Sequence, residues 1–308
     1  MLLALILAYV PLRDVGQVLA NAKLSWVVCG IGLLIIMRLA SAYRMHIITR
    51  HQGMSLSTMD IFKIGFITAF FGLFLPGYIA GGAIRWHMLS RKDKKGAEAI
   101  ASIAFDRVND TIVLFLLGCI SLIAASPATV APAVPWILAT ALLTLLLLYA
   151  VLLSPQATCL SVKIVTMLGL YQRPWFKKKF TQLTDSMAGF RQFPGIVRLQ
   201  LWGLSLLFHV MGTLVYVLMA GALDLGLSFT DCAWQRATLH LLFLLPLSVS
   251  GIGVRETALV ALLAPFGISS AQAVACSFLL MAGLLVMVGV GGLLAPGMYL
   301  KPGNAESE

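Results

Sequence analysis

Residues 75–86 read "LPGYIAGGAIRW". A proline, three glycines and an arginine close a strongly apolar run, where a membrane helix would be expected to continue. Pro76 removes a backbone donor and breaks the helical ladder. Gly81 and Gly82 permit turns and close approach. Arg85 adds a permanent charge that can grip phosphate through two hydrogen bonds. Residues 245–256, "LPLSVSGIGVRE", repeat the spacing: Pro76 is followed by Gly81 and Arg85 at +5 and +9, Pro246 by Gly251 and Arg255 at the same offsets. Irregular backbone inside a bilayer is tolerated where protein or a wet cavity satisfies its polar groups. The freed amides would then offer an anion site.

The composition around these breaks is that of a membrane protein. Of 308 residues, 60% are hydrophobic and 11% charged. The apolar residues come in blocks near the 20 or so needed to cross a bilayer as helix, and the short alternating segments of a β-barrel are missing. The expected fold is an all-α polytopic bundle forming one transmembrane domain over 1–308. The net charge of +10 is concentrated around 85–95 and 163–198, which the positive-inside rule explains without nucleic acid. The five cysteines have no metal-type spacing, and read as small buried hydrophobes. "MLLALILAYVPLRD" is too short to span and reads as a partial or clipped first helix. Residues 13–23 read as a short interfacial helix.

Full spans are expected at 24–45, 99–125, 135–154, 199–221 and 270–296. The segments 58–75 and 230–247 are marginal in length, and the legs behind their breaks, 77–90 and 251–266, are too short to cross. Arg44 and Arg50 in a loop at 44–57, the cluster at 85–95 and the basic segment 155–198 mark the cytoplasmic side. Residues 58–90 then start and end in the cytoplasm, and 230–266 start and end outside. Each becomes a re-entrant Leu-Pro hairpin. Repeat one (24–125) and repeat two (199–296) are inverted by the single span 135–154, the logic of inverted-repeat transporters. The segment 155–198 reads either as a solvated loop or as an amphipathic helix on anionic headgroups, since Trp175 and Phe176 adjoin Lys177–Lys179.

Ionisable residues within spans mark pathways or fix helix packing. Asp106 and Asp110 in "FDRVND" share one helical face; Arg107 can pair with Asp110. Arg255 and Glu256 sit on adjacent, diverging positions, where Glu256 either titrates or simply suits a helix start. Gly253 joins Gly251 in that second break. Arg38 is a further buried candidate. His209 and His240 read as packed structural residues. Gly289, Gly291 and Gly292 read as close helix packing. The sequence carries no nucleotide loop, metalloprotease motif or nucleophile elbow, so no enzyme activity, cofactor or metal is expected.

"FLPGYIAGGAIRWHMLSR" with "SIAFDRVND", and then "LLPLSVSGIGVRETALVALLAPFGIS", resemble the lysylphosphatidylglycerol synthase transmembrane region family, flippase-like membrane proteins of bacteria and archaea. The resemblance covers roughly residues 24–296. The family's Leu-Pro-Gly and Gly-Gly-x-x-Arg correspond to Leu75–Gly77 and Gly81–Arg85, its acidic-Arg pair to Asp106–Arg107, and its Gly-x-Gly-x-Arg-Glu to Gly251–Glu256. Ala83 replaces a common acidic residue, and "SFLLMAGLL" lacks an arginine many members carry there. The aminoacyl-transfer domain of bifunctional members is not among these residues, so lipid lysylation is not carried over.

The resemblance implies movement of a polar, phosphate-bearing lipid between leaflets of the cytoplasmic membrane. Arg85, Arg107 and Arg255 with Gly81, Gly82, Gly251 and Gly253 would bind it; Asp106, Asp110 and Glu256 would couple protons or orient. Two alternatives stand beside it: an integral-membrane enzyme of envelope lipid or glycolipid synthesis using Asp106 and Asp110, and an accessory partner of such an enzyme docking through 155–198.

Overall fold

The computed structural model describes residues 11–74, 78–125, 130–167, 170–244, 251 and 253–299. Pro76 and Pro246, the expected helix breakers, lie outside the described residues, as do residues 1–10. Everything described is helix or connection: α1 (Leu12–Ala20), α2 (Leu24–His51), α3 (Thr58–Phe74), α4 (Tyr78–Arg91), α5 (Gly96–Ile123), α6 (Ala133–Leu152), α7 (Pro155–Met167), α8 (Pro174–Gly189), α9 (Gly195–Ala222), α10 (Phe229–Leu244), α11 (Val254–Leu263) and α12 (Ser270–Tyr299).

Among the described residues, four helices (α2, α6, α9 and α12) are long and apolar enough to cross a membrane. α5 matches the longest of them bar α12 with 28 residues, but Glu98, Asp106, Arg107 and Asp110 interrupt its apolarity. The chain is a multi-pass, all-α membrane protein. At about 1.5 Å per residue, the 17 residues of α3 and 16 of α10 reach only ~25 Å, short of the ~30 Å hydrocarbon core. α4 and α11, at 14 and 10 residues, are shorter still.

One expectation is corrected. Arg44 is not in a loop: α2 continues to His51, and Arg44 is 2% exposed inside the bundle. Its charge is tolerated there because carboxylates meet it. Of the two readings of 155–198, the helical one fits the observed segment. It folds into α7, α8 and short 3₁₀ turns, and Phe190 stacks on Phe105 at 4.3 Å between ring centroids, anchoring the segment to α5. Its outer side shows Trp175 and Lys177–Lys179.

The spans pack in an exchanged pattern. α2 lies along α9 and runs antiparallel to it: Lys23, before α2, donates its amide to Ala222 at the end of α9 at 2.9 Å, while Arg44 near the other end reaches Ser205 near the start of α9. α3 packs on α12 and α10 packs on α5, so each short helix rests on the last span of the other half. Both seams are closed by glycine. A Cβ on Gly118 would stand 2.5 Å from that of Ala237, and one on Gly291 would collide with the backbone of Phe66. The short helices also open alike. Ser57 and Asp60 exchange amide-to-side-chain hydrogen bonds at 3.1 Å each way, and Ser228 and Asp231 do so at 3.1 and 3.2 Å. These are reciprocal N-terminal caps.

Candidate functional site

Two groups of buried charge sit between the exchanged helices. The first joins α2, α4, α5 and α9. Arg44 donates through Nε to Asp106 Oδ1 at 2.7 Å, through Nη1 to Asp110 Oδ1, and through Nη1 to Ser205 Oγ at 2.8 Å. The i, i+4 spacing that places Asp106 and Asp110 on one face of α5 lets a single guanidinium span both. Asn109 completes the group by donating to Ser205 Oγ at 3.0 Å. Arg85 of α4 approaches Asp106 Oδ2 at 3.9 Å.

The second group forms where α11 begins. Gly251 and Gly253 hold φ of +77° and +87°, a left-handed conformation that glycine adopts without a Cβ penalty. That bend lets Glu256 fold back and accept the Gly253 amide at 2.6 Å. Glu256 is fully buried. Ser277 of α12 donates to Glu256 Oε1 at 2.6 Å and accepts from Arg255 Nε at 2.9 Å, while Arg255 Nη2 stands 3.4 Å from Glu256 Oε1. The adjacent pair was expected to diverge; Ser277 brings the two side chains together instead. The helix-start role of Glu256 is real, and it coexists with the ion pair.

Between the groups lies a cavity of about 220 Å³ bounded by α2, α9, α10, α11 and α12. Arg38, Arg236 and Arg255 line it with Tyr216, and the other described lining residues are apolar or glycine, with no carboxylate among them. Gly212 makes room for Arg236: a Cβ there would fall 2.6 Å from the guanidinium carbon. Arg236 Nη1 in turn donates to the His209 carbonyl at 3.0 Å and faces His209 Nδ1 at 3.2 Å. His209 Nε2 lies 2.8 Å from the Asp110 carbonyl and 3.2 Å from Asp110 Oδ1. One chain of contacts therefore links cavity and first group.

A family model described as "Lysylphosphatidylglycerol synthase TM region" matches residues 1–292. The chain belongs to that family. No curated protein and no solved structure matches it. Membership of the lysylphosphatidylglycerol synthase TM region family and the all-helical fold fit a flippase-like membrane transporter. Among the described residues no group of three or more His, Cys, Asp or Glu could hold a metal.

The structure brings together some expected site residues and separates others. Arg255 lines the cavity and Glu256 supports it. Asp106, Asp110 and Arg85 belong to the first group. Arg107 is exposed on α5; Asp110, its expected partner, is bonded to Arg44 and His209. Gly81 and Gly82 lie within α4 rather than in a turn, and a Cβ on Gly81 would stand 3.8 Å from the Gly72 Cα of α3. Arg236 was not singled out from the sequence, and His209 was read as a packed structural residue. An arginine within an apolar segment is itself a signal, and "CAWQRATLHLL" carries one.

Proposed function

We propose that this protein moves a phosphate-bearing lipid between leaflets of the bacterial or archaeal cytoplasmic membrane, with the headgroup passing through the arginine-lined cavity. One observation carries this reading: guanidiniums, and no carboxylate among the described lining residues, face a half-open cavity between the helices. An arginine at mid-membrane costs about 2.5–3.5 kcal/mol on insertion scales. Arg236 and Arg255 at one cavity are a cost that a bound anion offsets. The volume matches about seven waters at ~30 Å³ each, room for a headgroup but not for acyl chains. The chains would stay in lipid, so only the charged part leaves water.

Arg85 lies within electrostatic reach of Arg107, Arg44 and Arg38. With Arg236 and Arg255, these form a basic path from the exposed face of α5 to the cavity. Arg85 and Arg107 are its entry, while Gly251 and Gly253 shape the turn that aims Arg255. In this reading the chain is two inverted repeats, each with a re-entrant hairpin. The antiparallel α2–α9 pair, the exchanged packing and the twin Ser-Asp caps support that architecture. The basic helix α8 would rest on anionic headgroups of the inner leaflet, with the other basic connections on the same side.

The test is translocation of a fluorescent phosphatidylglycerol in proteoliposomes, followed by bleaching the outer leaflet. The wild-type chain is expected to expose inner-leaflet lipid to the bleach, and Arg236→Gln or Arg255→Gln to slow this at least tenfold. Unchanged rates in both variants would sink the assignment.

A further inference from the structure

His209 stands between the anion cavity and the buried carboxylates, and its partners fix its tautomer. Among the described residues Nε2 faces acceptors, the carbonyl and carboxylate of Asp110, so it carries the hydrogen. Nδ1 faces a donor, Arg236 Nη1, so it presents a lone pair. The neutral ring is thus plugged on its cavity side by an arginine that also lines the cavity.

Resting on the reading of that cavity as a headgroup site, we propose that His209 Nδ1 is a proton site linked to it. An anion that draws Arg236 off the ring opens Nδ1 to a proton, so lipid headgroup and proton bind together. The reverse also follows. An N–H at Nδ1 cannot accept from Arg236, so a protonated ring releases the guanidinium to the anion. By reciprocity, each ligand tightens the other equally.

The surroundings suit a gained charge on this ring. α5 presents Asp110, which would take the imidazolium as an ion pair through Nε2. Arg44 of α2 bonds to that same Asp110, and Arg38 of α2 and Arg255 of α11 face the cavity beyond Arg236. α10 brings Arg236, and His240 within electrostatic reach. Tyr216 lies two turns along α9 itself. The α12 residues at the cavity, Leu280, Gly283, Leu284 and Met287, do not titrate. With Arg236 engaged by the anion, the new positive charge has one carboxylate beside it and loses its repulsive neighbour. One proton and one monoanionic headgroup then enter as a pair with no net charge.

The full chain in detergent, titrated calorimetrically with dihexanoyl phosphatidylglycerol, tests this. Its phosphodiester holds one fixed negative charge, and two buffers of different ionisation enthalpy count the protons taken up. Wild type is expected to take up as much as one proton per lipid, with affinity falling up to about tenfold per pH unit as pH rises through about 6 to 8. In His209→Gln the amide donates to Asp110 and its oxygen accepts from Arg236. Binding should persist while proton uptake and the pH slope vanish. Nitrogen-15 NMR of labelled wild type reads the same event without a variant: one of the five histidine rings should gain a proton at Nδ1 on lipid addition. Binding without proton uptake overturns the link but leaves the cavity reading intact. Unchanged uptake in His209→Gln overturns His209 as the site. Absence of binding in wild type overturns cavity and link together.

Discussion

The two buried charge groups differ in balance. Around Arg44 the positive and negative charges match: Arg44 and Arg85 meet Asp106 and Asp110. Around the cavity they do not: beside Arg236 and Arg255 no carboxylate stands among the described lining residues, and Glu256 meets Arg255 from behind the lining. A balanced group satisfies itself and holds helices together. An unbalanced one is complete only with something else bound. The contrast sets Arg44, clasped by two carboxylates, against Arg236 and Arg255, which face the cavity.

The sharpest way to break this comparison is Arg44→Ala. It leaves Asp106 and Asp110 without their guanidinium, and loss of one partner of a buried pair costs about 3–5 kcal/mol. Folded yield and melting temperature in detergent should fall steeply, with no rescue by added lipid. Arg236→Gln should do the opposite. Charge-assisted hydrogen bonds are worth about 1.5–3 kcal/mol, so lipid binding should weaken roughly ten- to hundredfold while melting stays near wild type. If Arg44→Ala melts normally and Arg236→Gln does not fold, the assignment is inverted. Ser277→Ala sharpens the cavity side. Without the hydroxyl joining Arg255 to Glu256, about 1–2 kcal/mol of stability should go, read by thermal unfolding.

The smallest effect lies outside the membrane. Between α4 and α5, Asp93 accepts from the Ser55 hydroxyl at 2.6 Å and the Ser55 amide at 2.8 Å. These bonds, then Lys92 and Lys95, hold its carboxyl below the usual carboxylate range. The stabilisation is present above the unfolded value near ~3.9 and is lost as pH falls through the lower folded value. Asp93→Asn should therefore melt slightly below wild type at neutral pH, and the gap should close in acid.

Much of the architecture was legible because it is local. Apolar length marks the spans, proline and glycine mark the interruptions, and i, i+4 spacing puts Asp106 and Asp110 on one face. The partners were not. Arg44 finds Asp106 across 62 positions and His209 finds Asp110 across 99. No periodicity encodes such a pairing. Arg44 was also disguised, since an arginine near a span end looks like an anchor to the inner surface. Arg236 was readable in principle, as was the repeated Ser-x-x-Asp of "STMD" and "SFTD". Each is a short polar signal inside a segment scanned for its apolar character.

The glycine seams have a mechanical meaning. At Gly291 the last span touches the backbone of α3, and at Gly118 the α5 span touches α10 with no large side chain between. Contacts that tight do not slide, so α3 travels with α12 and α10 travels with α5. The rigid parts of this machine are each assembled from both halves of the chain. On the proposed two-repeat reading, a cycle that opened the molecule along the boundary between the repeats would have to break both seams.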